Sequence, residues 1–477
     1  MLRKPIIVSY LFTFVLIAFI VFPSACGNRA GADKPNIVFI LVDDLGWRDL
    51  QCYGSDFYET PNIDQLRSEG MMFSNAYSAA PVCSPTRASI LTGKNPAHLR
   101  FTGHITRIGR HRYPEHGRIV PPDDKMRVDL EEIMIPEALN GLGYASISIG
   151  KWHVGDEEEF FPTNQGFDIN IAGYEDGSPP TYWGPYEIDR EWNSVIKNLP
   201  DRKAGEYLTD RLTDEAIKFI RNNNQKPFFT YLSYYSVHTP LEAPDSLVKK
   251  YEAKLKERPV QKSATYAAMI EKVDDNVGRL IEEIENLGLT NNTIVIFYSD
   301  NGGTTEATIN TPLREGKGYL YEGGIRVPLI VKWPGRIRPN SNSDVPVISE
   351  DLLPTITDMV GEGTHTASDV DGISLLPLLE EKSAGLNRDA LCWYYPHYSP
   401  QAQMPGYAIQ MGDYKLIEHY DPPKVELFNL ENDISESENL AKQMPEKVEE
   451  LKVAFDQWLK QMNPVMHTEN PGFISEK

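Results

Sequence analysis

Four short segments concentrate groups able to hold a metal or an anion. They are Asp43-Asp44 in VDD, Lys151 and His153 in GKWHVG, His238 in VHTP, and Asp300-Asn301 in SDNGG. A fifth, PVCSPTRASILTG (81–93), carries Cys83 and Arg87, and REGKGYLYEGG carries Lys317. Asp43, Asp44, Asp300 and Asn301 offer only oxygen donors, a set that suits calcium or magnesium rather than zinc. Arg87, Lys151, His153, His238 and Lys317 are cations or proton carriers. Lys151 and His153 are two apart, so in an extended segment they point to the same side. Taken singly, each has a bland reading: an Asp after a strand is a helix cap, SDNGG is a turn, and Lys317 is solvated surface.

Cys83 read alone is a packing residue, half a disulfide, a metal ligand or a nucleophile. Its flanks narrow this. Pro85 suits the first turn of a helix, so Ser84 or Cys83 is read as the cap, and TRASILTG runs on to a glycine stop. A helix N-terminus favours an anion, and Arg87 lies one turn further on. With several cations and a divalent metal, the chemistry is that of an oxyanion site.

The elements that must position these groups are short apolar runs alternating with helical patterns. They predict an α/β fold with a large, mixed but mainly parallel sheet sandwiched by helices. The strands are read at 36–42, 144–150, 228–235, 293–299 and 326–333, the last near an edge or bulge because of Pro328. Helices are read in LEEIMIPEALNGLG, around LTDRLTDEAIKFIRNN, and where Tyr266, Ile270, Val273, Val277, Leu280, Ile281 and Ile284 recur at helical spacing. VDD, GKWHVG, VHTP and SDNGG each follow a predicted strand. Ligands of open α/β sheets bind beyond the carboxyl ends of the strands, so four such matches turn the bland readings into one site. After about Leu379 an antiparallel meander with a Gly-Asp turn and a helix near 444–461 predict a smaller C-terminal α+β subdomain. The expected organisation is a catalytic domain over 34–379 and this subdomain over 380–477.

Residues 1–25 read as a secretory signal, with Arg3 and Lys4 before an apolar run and small residues before Cys26. PSAC resembles a bacterial lipoprotein signal with Cys26 lipidated, so the protein is expected to be exported to the periplasm or cell surface, with membrane attachment through Cys26. The cysteines are Cys26, Cys52, Cys83 and Cys392, with no C-x-x-C, which argues against a thiolate zinc site. A formal net charge of −21 over 477 residues argues against a nucleic-acid partner and requires a local cation cluster to capture any anion.

CSPTRASILTG carries the Cys-x-Pro-x-Arg signature and Thr-Gly ending of type I sulfatases, members of the alkaline phosphatase superfamily. The resemblance extends through VDD, GKWHVG, HTP, SDNGG and GKGYLYEGGIRVP. It implies that Cys83 is converted to formylglycine by a dedicated maturase, and that the hydrated aldehyde attacks sulfur. It further implies one calcium ion on Asp43, Asp44, Asp300 and Asn301. Arg87 would hold the hydrate, Lys151, Lys317 and His238 the sulfate. His238 or Lys317 would protonate the leaving alcohol, and His153 would deprotonate the second hydroxyl so that sulfate departs.

Substrate-binding candidates are His104 and Arg107 in the His/Arg-rich segment after the catalytic helix, with His98 nearby. Glu175 in the aromatic loop GYEDGSPPTYWGPY, read as able to stack on a sugar, and His397 in WYYPHY complete the set. These segments resemble those of bacterial exo-acting carbohydrate sulfatases, including members active on 4-O-sulfated galactose or N-acetylgalactosamine, although this chain has Gly103-His104 where related members carry Asp-Trp. A sulfated saccharide is therefore the expected substrate. Two other functions share the motifs: a phosphate or phosphonate monoester hydrolase of the same superfamily, and a non-catalytic lipoprotein that binds sulfated glycans.

Overall fold

The computed structural model describes residues 34–473 except 106–113, 259, 362–367 and 403. Cys26 and the rest of the predicted signal, like Arg107, lie outside the described residues. Among the described residues no helix is long and apolar enough to cross a membrane.

The main sheet has eight strands: β1 (Asn36–Val42), β2 (Met71–Phe73), β3 (Ala145–Gly150), β4 (Ile169–Ile171), β5 (Phe228–Ser233), β6 (Thr293–Ser299), β7 (Leu329–Lys332) and β8 (Ser341–Ser343). Their spatial order is β8-β2-β7-β6-β1-β5-β3-β4. From β6 through β4 every pairing is parallel; β7 runs antiparallel to both its neighbours. All seven residues of β1 are buried, as a central strand covered on both faces requires. Helices α1 (Cys83–Thr92), α2 (Leu208–Asn223) and α3 (Ala264–Asn286) follow in chain order.

Three sequence expectations need correction. β7 lies inside the sheet, not near an edge: Pro328 stands just before its first residue, so the missing N–H costs the ladder nothing. The helix read in LEEIMIPEALNGLG is only Ile135–Ala138, because Pro136 starts a helix and cannot sit within one. The cap of α1 is Val82, in extended conformation; Cys83 is already the first helical residue and Ser84 the second. The predicted stop is present, with Gly93 in the left-handed conformation that glycine adopts without strain.

A separate four-stranded antiparallel sheet comprises β9 (Leu391–Tyr395), β10 (Gly406–Met411), β11 (Tyr414–Tyr420) and β12 (Pro423–Asn429), with Gly412-Asp413 joining β10 to β11. Helix α4 (Pro445–Met462) covers it through Leu451 and Phe455, the latter stacked on Tyr407 at 3.8 Å. A buried ion cluster ties this sheet to the segment that carries Lys317: Lys415 Nζ lies 2.8 Å from Glu322 and 2.8 Å from Glu436. The described residues from Lys34 onward form one compact unit.

Candidate active site

β1, β3, β5 and β6 run parallel, so their carboxyl ends deliver Asp43-Asp44, Lys151 to His153, the chain leading to His238, and Asp300-Asn301 to one edge. The backbone locks these ends together: Asp43 N–H donates to Ser236 O, Val237 N–H to Asp43 O, and Asp300 N–H to Val42 O. Helix α1 enters from the side with Cys83 and Arg87.

Arg87 is fully buried and braces three strand ends at once. Its Nε donates to Asp300 Oδ2 at 2.8 Å, and Nη1 donates to the Lys151 carbonyl and to Ser233 Oγ. Nη2 lies 2.7 Å from Asp300 Oδ2 and 3.7 Å from Asp43 Oδ1 without a well-aligned hydrogen bond, so it keeps donor capacity inside the site. Lys151 Nζ donates to Asp43 Oδ2 at 2.8 Å. Lys317 Nζ donates to both Asp44 oxygens, at 2.6 and 2.8 Å, and lies 3.3 Å from Cys83 Sγ. Sγ in turn is 3.4 Å from Asp43 Oδ1 and 3.8 Å from Asp44 Oδ1.

The oxygen donors fit a divalent cation. One atom each from Asp43, Asp44, Cys83 and Asp300 falls within 4.8 Å of the others. Asn301 Nδ2 donates to Asp44 Oδ1, while its Oδ1 is buried without a hydrogen-bond partner among the described residues. Such an orphaned oxygen is costly unless something accepts it as a ligand. Burial, together with the neighbouring carboxylates Asp300 and Asp44, pushes Asp43 well above the usual carboxylate range despite Lys151. For Asp44, burial is outweighed by Lys317 and His238, which hold it low. Three carboxylates here face three cations (Arg87, Lys151 and Lys317), so a divalent ion would leave the set positive, complementary to an anionic ester.

The two histidines are held differently. His153 Nδ1 is 3.1 Å from Ser84 Oγ, and Ser84 Oγ accepts the Ile105 N–H. His238 Nδ1 faces the Thr239 carbonyl at 2.9 Å. A carbonyl only accepts, so the Nδ1 carries the proton and Nε2, 3.7 Å from Asp44 Oδ2, offers a lone pair when the ring is neutral. Burial, with Lys317 nearby, pushes His238 down; burial and Lys151 do the same to His153. The Cys83 thiol is pushed well above its ordinary range by burial, which Lys151 and Lys317 only partly oppose. An unmodified thiol is thus protonated here and a poor nucleophile.

A cavity of about 650 Å³ opens onto Cys83, His104, His153, His238 and Lys317, with Asp176, Trp192 and Asn193 on its wall. His104 therefore stands where the sequence suggested. Glu175 does not line it: its carboxylate pairs with Lys197, and its neighbour Asp176 faces the cavity instead. His397 is 1% exposed and bonded through Nε2 to Thr102 Oγ1 at 2.7 Å, outside the lining. His98 is paired with Asp371. The aromatic loop departs most from expectation. Tyr174, Tyr182 and Tyr186 are completely buried, with hydroxyls bonded to Asn193, to the Tyr235 and His238 carbonyls, and to Glu206. Trp183 packs on Tyr207. The aromatic ring at the cavity is Trp192, six residues beyond that loop. A tryptophan in EWNS carries no periodic or motif signal that would mark it in the sequence.

An α/β sheet that gathers a carboxylate cluster, a helix-borne cysteine and three buried cations at its strand ends defines an oxyanion-ester hydrolase. The chain belongs to the sulfatase family: residues 35–362 match the family model described as Sulfatase, and residues 316–464 that described as N-sulphoglucosamine sulphohydrolase, C-terminal. It is a sulfuric ester hydrolase. A sulfatase of Formosa agariphila is 32% identical, covering 90% of this chain and 89% of its own. N-acetylgalactosamine-6-sulfatase of Mus musculus is 34% identical, covering 81% and 72%. Among solved structures, Ps i-CgsB in complex with k-i-k-neocarrahexaose superposes with a TM-score of 0.75 at 28% identity, covering 93% of this chain and 96% of that one.

Proposed function

We propose that this exported enzyme removes a sulfate ester from the terminal residue of a saccharide, with galactose or N-acetylgalactosamine as the sugar. The observation that carries this is the cavity: Cys83, His153, His238 and Lys317 of the cationic, metal-competent cluster line it together with an aromatic ring, His104 and Asp176. An aromatic surface beside hydroxyl-binding groups suits a sugar. The sequence resemblance favours the 4-O position. The mouse relative, an N-acetylgalactosamine-6-sulfatase by name, favours 6-O.

Cys83 Sγ stands for an oxygen of the hydrated formylglycine that a maturase would generate; that group supplies the attacking hydroxyl. A calcium ion on Asp43, Asp44, Asp300 and Asn301 supplies charge neutralisation and orientation of sulfate. The chain's own residues do the rest. Arg87 fixes the strand ends and keeps a donor for residue 83. Lys151 and Lys317 pair with sulfate oxygens as charge shifts onto them. Lys317, an ammonium 3.3 Å from Cys83 Sγ, is the better placed donor of a proton to the leaving alcohol, because the Nε2 of neutral His238 offers a lone pair. His153 takes the proton of the second hydroxyl at residue 83, which frees sulfate.

The test is sulfate release from a panel of 4-O- and 6-O-sulfated galactose and N-acetylgalactosamine, using protein co-produced with a formylglycine-generating maturase. Release from one position, abolished in Cys83→Ala, is the expected result. Faster turnover of the matching phosphate esters, or no release from any sugar, overturns the reading. Localisation of the product with and without Cys26→Ser tests export and lipidation.

A further inference from the structure

We propose that Trp192 is the platform on which the pyranose ring of the substrate stacks; the proposal rests on the saccharide reading above. Trp192 is 54% exposed, whereas Tyr174, Tyr182 and Tyr186 nearby are completely buried. Among the described residues, the other exposed large apolar side chains are aliphatic and none lines the cavity that holds Cys83. An exposed indole at the wall of an anion cavity leaves apolar area in water that a ligand would cover.

The ring is held in place before any ligand arrives. The Arg190 guanidinium sits 4.4 Å from its centroid, and Arg190 Nε donates to the Asn193 carbonyl at 2.9 Å. Asn193 is buried with φ +42°; its Nδ2 donates to Ser178 O at 2.8 Å and its Oδ1 accepts from Tyr174 at 3.0 Å. Glu187 and Val195 bridge the two ends of the loop, and Ile188 N–H donates to Ser194 O at 2.8 Å. The buried tyrosines of the preceding loop thus act as the footing of this one. A pre-positioned ring binds without an ordering cost at capture.

The chemistry matches a galacto-configured sugar. Its axial O4 leaves C3–H, C4–H and C5–H on one face, a contiguous apolar patch suited to an indole. Asp176 and His104 line the same cavity and supply groups able to bind hydroxyls at the ring edge.

The experiment compares wild type, Trp192→Ala and Trp192→Phe on the sulfated monosaccharide that wild type cleaves, with inorganic sulfate as a competitive inhibitor. In Trp192→Ala, KM is expected to rise roughly tenfold with kcat within about twofold. The inhibition constant for inorganic sulfate stays unchanged, since the anion end is untouched, and Trp192→Phe recovers most of the loss. An unchanged KM in Trp192→Ala, or a parallel loss of sulfate affinity, overturns the platform while leaving the sulfatase reading intact. Wild type that cleaves no sulfated sugar overturns the saccharide reading and the platform with it.

Discussion

Gly177 lies so close to the His153 imidazole that a Cβ built on it would stand 2.4 Å from Cε1 and 2.8 Å from Nε2. His153 has little room to yield, being held by Ser84 and by its own left-handed backbone at φ +58°. Gly177→Ala must therefore turn or displace the imidazole. Proton transfer depends on hydrogen-bond reach, so kcat should fall by about tenfold or more. The melting temperature should fall too, since overpacking against a buried ring costs about 1–3 kcal/mol. Steady-state kinetics beside thermal unfolding checks both, and an unaltered kcat would remove His153 from the proton-transfer role.

Arg87 and Asp300 form a completely buried pair that also gathers Lys151 O and Ser233 Oγ. Removing one partner of a buried pair strands the other charge, at about 3–5 kcal/mol. Arg87→Met should lower unfolding free energy by that order, read by denaturant titration at constant slope. Arg87→Lys should recover only part, because an ammonium cannot span the same acceptors.

Glu350 accepts hydrogen bonds from Ser89 Oγ on α1 and from Asn95 Nδ2. Burial, reinforced by Asp351, pushes it up to about 7. Its folded value exceeds the unfolded one, so its stabilising contribution is complete below about pH 4.5 and is lost as pH rises through 7. Glu350→Gln stays neutral throughout, and the Ser89 hydroxyl can turn to accept from the new amide. The difference in melting temperature, variant minus wild type, should therefore grow from pH 4.5 to pH 8. A difference that is flat with pH would show that Glu350 keeps its charge in the fold.

The positions of these groups were legible in the sequence to differing depth. Val42-Asp43, Gly150-Lys151 and Ser299-Asp300 are boundaries between strand and candidate site, visible because a continuous apolar run ends on an ionisable group. What joins them was not visible: Arg87 and Asp300 are 213 residues apart, and no local pattern pairs them. β2, β4 and β8 have three residues each, too few to establish a period. Composition also misled in the loop at 173–186. Its tyrosines suggest a sugar-facing surface, yet their hydroxyls all find partners within the fold, so the rings turn inward and Trp192 takes the exposed place. Whether an aromatic residue supports a wall or forms it depends on partners distant in the chain.

Asn301 separates metal binding from the charge balance of the cluster. Its Oδ1 is buried without a hydrogen-bond partner among the described residues, and its removal leaves no stranded charge, since Asp44 keeps both contacts from Lys317. A ligand that binds only the folded state raises its stability by mass action. After chelation, the melting temperature of wild type should climb as calcium is added back. In Asn301→Ala the same climb should need on the order of tenfold more calcium, one ligand being lost from a set of few. Asp43 should report the same event: the cation needs its carboxylate form, which burial and Asp300 disfavour up to about pH 8, so the calcium response should weaken as pH falls below about 8. A calcium response equal in wild type and Asn301→Ala would place the ion elsewhere. No response in wild type would mean that Arg87, Lys151 and Lys317 balance the three carboxylates without the ion.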